Sequence, residues 1–106
     1  SNEKTLNSVN QVSELIKRLE HLAVSEIGDK YTSSFKKLSG ELQFTDLSAM
    51  VEEDKNISEQ ISILEIEVSN FDEETSDEKI QSSIEHLKSL IAKRSVSVNS
   101  LKKGSI

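Results

Sequence analysis

From Leu6 the apolar residues recur at Val9, Val12, Ile16, Leu19 and Ala23, with Leu15 and Leu22 widening the stripe, a spacing that predicts an amphipathic helix. The same phase continues through Val24, Ile27, Tyr31, Phe35, Leu38 and Leu42. Gly28 lies inside this run and costs only about 1 kcal/mol relative to alanine in a helix. The pattern therefore predicts one long helix over about 4–43, with a kink or a break at Gly28. At Phe44-Thr45-Asp46 the phase changes: Thr45 or Asp46 can cap a new helix while Phe44 packs back as a hydrophobic staple. Leu47, Met50, Asp54, Ile57, Ile61, Leu64, Val68 and Phe71 follow at steps of three and four, predicting a second helix over about 46–71. The β-branched residues between Ile61 and Val68 would also suit a strand, but the longer heptad outweighs them. Thr75 and Glu78 have capping-box spacing, and Ile80, Ile84, Leu87, Ile91, Arg94, Val98 and Leu101 mark a third helix over about 76–103.

A register test joins the last two helices. In an antiparallel hairpin, facing positions have a constant sum, because both helices rise equally per residue. Leu47 with Leu101, Met50 with Val98, Ile57 with Ile91, Ile61 with Leu87, Leu64 with Ile84 and Val68 with Ile80 all sum to 148. Asp54 and Arg94, the polar intruders of the two stripes, obey the same sum and are expected to form an interior ion pair that sets the register. On this reading Arg94→Leu alone destabilises, whereas leucine at both positions restores or exceeds the original melting temperature. Segment charges agree with the pairing. Residues 44–75 carry ten acids and one base, and residues 76–106 carry three acids and six bases.

The chain is thus expected to be all-α: an antiparallel hairpin of 46–71 with 76–103 plus the long N-terminal helix, as a three-helix bundle or coiled coil. Its 106 residues suit a single domain, 1–106, that is an excerpt or subunit of a larger assembly. Three glycines, no proline and 4% aromatics favour long helices over a β-sandwich. A straight first helix runs back along the second, with Phe35 near Asp54 and Tyr31 near Ser58, and then outruns it. That leaves Leu6, Val9, Val12, Leu15, Ile16 and Leu19 as an uncovered, partner-binding stripe. Aspartate at Val9 and Ile16 should then abolish association and leave the hairpin helical. A break at Gly28 would instead fold the helix back into a four-helix bundle and hide the stripe. Tyr31, Phe35 and Phe44 are read as bundle filling before partner anchors.

Candidate chemistry is sparse. Cysteine is absent, which removes disulfides, thiolate metal sites and a cysteine nucleophile, and fits an intracellular setting, cytoplasmic or nuclear. His21 and His86 lie on different helices without ligand spacing, and the isolated glycines form no phosphate loop. No catalytic, cofactor-binding or metal-binding residues are therefore assigned. The net charge of -6 argues against nucleic acid and anionic membranes, and no apolar run is long enough to span a bilayer. The expected function is non-enzymatic: a helical-bundle subunit that meets protein partners or further copies of itself through helix stripes. Binding of an apolar ligand or a membrane surface is the alternative.

Overall fold

The computed structural model describes residues 2–104 and contains four helices: α1 Asn2–Ala23, α2 Asp29–Gln43, α3 Glu53–Ser69 and α4 Asp77–Gly104. It is a helical bundle, with no strand among the described residues, and the stretch from Ile61 to Val68 is helical as the heptad requires. The expected three-helix arrangement is corrected to four. The first helix is broken between Ala23 and Asp29. After α1, the Val24 and Ser25 amides donate to the His21 and Leu22 carbonyls. Gly28 then adopts φ 138° and ψ 150°, a conformation closed to L side chains at low cost. Its carbonyl accepts the Tyr31 and Thr32 amides and so begins α2.

The energetic reason for the break is burial. Folding α2 back against α1 places Tyr31, Phe35, Leu38 and Leu42 in one core with Val12, Leu15, Ile16, Leu19 and Leu22. Each such side chain is worth about 1.5–3 kcal/mol when removed from water. A continuous helix through Gly28 would forgo most of that for a few backbone hydrogen bonds.

Polar cross-links orient the bundle. Asp54 meets Arg94, and Gln60 donates to the Ser83 carbonyl, so α3 and α4 are antiparallel, as the constant-sum register anticipates. Ser8 bonds to Leu47 and Ala49 while Arg18 reaches Ser58, Ser62 and Glu65, so α1 runs parallel to α3. Lys30 and Tyr31 meet Asp77 while Thr45 meets Arg94, so α2 runs parallel to α4. Helices α1 and α4, and likewise α2 and α3, make no close backbone approach and lie diagonally. Consequently Phe35 and Tyr31 do not sit beside Asp54 and Ser58. Tyr31 instead packs edge-on against Phe71, with ring centroids 5.6 Å apart.

Because α2 and α3 are diagonal, their connection, residues 44–52, crosses one end of the bundle. The second helix therefore begins at Glu53 rather than near residue 46. Leu47 leaves the heptad but still packs on the core, whereas Met50 is exposed. Phe44 is no staple: it caps α2 with its amide, donating to Gly40, and its side chain is 93% exposed. At the α3–α4 turn the expected Thr75–Glu78 capping box is replaced by Ser76. The Ser76 hydroxyl accepts the Asp72 amide at 2.9 Å, its carbonyl accepts the Ile80 amide, and Thr75 faces solvent.

The end opposite the crossover is clasped by charge. Asp77, in the first turn of α4, accepts from the Tyr31 hydroxyl and lies 2.7 Å from the Lys30 ammonium. Hydrogen bonds from Lys30 and then Tyr31 hold the Asp77 carboxyl below the usual aspartate range. The bond to Asp77, followed by burial, pushes the Tyr31 phenol up, and the same carboxylate raises Lys30. At the crossover end the Ser48 hydroxyl and amide hold Asp46 low. A carboxyl held low contributes stability above the ordinary aspartate pKa near 4, lost as pH falls through its folded value. A phenol and an ammonium held high contribute below their ordinary values near 10, and this is lost as pH rises through their folded values. Urea midpoints measured across pH should therefore fall on both sides of a plateau between about pH 5 and 9. Tyr31→Phe should reduce the alkaline fall, and Asp77→Asn should reduce the acid fall while keeping the part due to Asp46.

Candidate functional site

The residues that the sequence pattern predicts as an uncovered stripe divide in the structure. Val12, Leu15, Ile16 and Leu19 are buried in the chain's own core, Val9 is half-buried, and only Leu6 is exposed. The stripe is not an open surface, because the break at Gly28 brings α2 over it. His21 and His86 are both exposed on separate helices, and no group of three metal-ligating side chains occurs among the described residues. No described helix is long and apolar enough to cross a membrane.

The Asp54–Arg94 pair does form, at 2.5 Å, with Arg94 fully buried and Asp54 14% exposed. It is more than a pair. Arg94 Nε donates to Asp54, Nη1 donates to the Thr45 hydroxyl, and Nη2 donates to the carbonyls of Asp46 and Ala49 at 3.2 and 3.1 Å. The second Asp54 oxygen accepts the Val51 amide. From the opposite side the buried Ser8 hydroxyl is shared between the Leu47 and Ala49 carbonyls, at 3.1 and 2.6 Å. One guanidinium from α4 and one hydroxyl from α1 thus satisfy the carbonyls of Asp46, Leu47 and Ala49 and fix the crossover across the bundle end. Within the crossover, Asp46 accepts the Ser48 amide and hydroxyl and turns the chain.

That fixed crossover carries apolar side chains outward. Of eight large apolar residues that are exposed among the described ones, five belong to this end: Leu6, Phe44, Met50, Val96 and Leu101. Leu6 lies beside Ser8, and Leu101 beside Lys102, which pairs with Asp46 at 3.4 Å. Phe44 borders a groove between α2 and α4 whose lining includes Glu41, Lys88 and Ala92. Ala92 also lines the next groove, toward α3, which holds Val96, so apolar surface continues across the outside of α4. A third and larger groove lies between α1 and α3, lined by Leu15, Met50 and Val51 among acidic residues. Tyr31 and Phe35 are core residues, as bundle filling requires, whereas Phe44 is not. The available signal for Phe44 and Met50 was the cluster Thr45, Asp46 and Ser48, whose side chains compete for backbone and disfavour a helix through that segment.

No family model, curated protein or solved structure matches this chain.

Proposed function

We propose that this chain is a non-enzymatic helical-bundle module that assembles with partner helices in a multi-subunit complex, and that the crossover end is its docking surface. The observation carrying this reading is Phe44, an aromatic side chain 93% exposed on a segment that Arg94 and Ser8 hold in place. Aromatic residues presented on a fixed backbone lose little conformational freedom on binding and are frequent anchors at interfaces. Leu6, Met50, Val96 and Leu101 extend the apolar surface at the same end, and such clustering marks interaction sites more often than single exposed apolar residues do.

The test is site-specific photocrosslinking in the cells that express the protein. A photoreactive phenylalanine at position 44 or 101 should yield a discrete adduct with a protein partner or a second copy. The same group at Glu73, exposed in the turn at the other end, should yield none. Absence of adducts at both crossover positions, or equal labelling at Glu73, would overturn the reading.

A further inference from the structure

We infer that the groove between α1 and α3 at the crossover end takes a basic amphipathic helix from a partner protein, an assignment that rests on the interaction-module reading. The groove has an apolar floor in Leu15, Val51 and Met50, the last 53% exposed. Around it stand the exposed carboxylates Glu14, Glu52 and Glu59. Two other charged groups in the lining are committed elsewhere. Asp54 is held by Arg94, and Arg18 spends its guanidinium on Glu65 at 2.7 Å and on Ser58 and Ser62. Lys55 is left as the one base against three acids, so the open part of the lining is negative. The surrounding elements have the same sign: α3 carries five acids and one base, and α1 carries three of each.

Geometry limits the occupant. On α1 the groove runs from Gln11 to Arg18, about 10 Å of helix rise, which matches about two turns of a helix laid alongside. Arg18 bridges from α1 to α3 and closes the seam at its far end, whereas Met50 stands at the crossover end. A helix with an apolar stripe flanked by lysine or arginine would put the stripe on Leu15, Val51 and Met50 and its cations beside Glu14 and Glu59. The α2–α4 groove selects no such partner, because Glu41 and Lys88 give it mixed charge.

Two synthetic 18-residue amphipathic helices, one of leucine and lysine and one of leucine and glutamate, serve as probes in amide NMR titrations of the full chain. The lysine peptide should shift amides of Gln11–Leu15 and Met50–Ser58. Reversal of both rim acids, Glu14→Lys with Glu59→Lys, should weaken it about tenfold, as expected for two charge contacts. Reversal of Asp72 and Glu73 at the other end, a variant with the same change in net charge, should leave affinity within about twofold. Shifts spread over the whole surface, equal binding of the glutamate peptide, or equal weakening by both reversals would overturn the inference. Adducts at position 44 or 101 together with such a negative titration would remove the groove assignment alone and leave the interaction module standing. Lack of adducts with a positive titration would remove Phe44 and Leu101 as the docking surface and leave the groove as the module's interaction site.

Discussion

Replacing Arg94 by leucine is expected to cost about 3–5 kcal/mol, a large part of the 5–15 kcal/mol typical of a folded domain. The change strands the Asp54 carboxylate, only 14% exposed, with the Val51 amide as its remaining hydrogen-bond donor. It also takes a donor from the Asp46 and Ala49 carbonyls. The sequence-based expectation, that leucine at both 54 and 94 restores the melting temperature, follows when the two side chains serve only each other. Here they do not. Asp54 also caps the crossover through Val51, and Arg94 reaches three acceptors other than Asp54. The double variant should therefore recover less than half of the single-variant loss, since unpaired backbone groups each cost about 1–3 kcal/mol. Urea unfolding of the two single variants and the double variant, with slopes compared, measures this directly. Full recovery in the double variant would mean that Arg94 does not hold the crossover.

How much of this was legible beforehand varies along the chain for physical reasons. From Asp54 to Val98 the helical repeat and the constant-sum register anticipate the observed hairpin, because two helices packed along their length must keep facing residues in step. The break at Gly28 was harder to read: the apolar phase passes through it undisturbed, and helix propensity alone charges a mid-helix glycine little. Only the positive φ, and the core that folding back creates, decide the matter. The crossover reads as helix in the sequence because Leu47 and Met50 happen to keep the heptad. One clue lay in Arg94 itself. A buried guanidinium has five N–H donors, and a single carboxylate cannot take them all. The rest need acceptors, and carbonyls inside a helix are already spent, so a buried arginine opposite one aspartate implies non-helical backbone close by. The exposure of Phe44 and Met50, on which the proposed docking surface rests, is hidden in the sequence for the same reason, since 44–52 is not helical.

Ile16→Asp separates the folded-back bundle from an extended first helix. In the straight-helix reading, Ile16 lies on an open stripe, and aspartate there removes association while the hairpin stays helical. In the structure Ile16 is 6% exposed inside the core beside Val12, Leu15 and Leu19. Aspartate forfeits about 2–3 kcal/mol of apolar burial and places a carboxyl where no partner is available, for a further penalty of about 1–3 kcal/mol or more. Together these approach the whole stability of a domain this size, so the variant should unfold as a monomer, losing its far-ultraviolet helical signal and expanding in hydrodynamic radius. Leu6→Asp is the matched control, because Leu6 is 59% exposed on the same helix, and it should stay within about 0.5 kcal/mol of the parent. An Ile16→Asp protein that keeps its helicity while dissociating would mean that α1 does not lie under α2. The proposed interaction surface would then return to the first helix, since burial of Ile16 in this chain's own core is what moves the proposal to the crossover end.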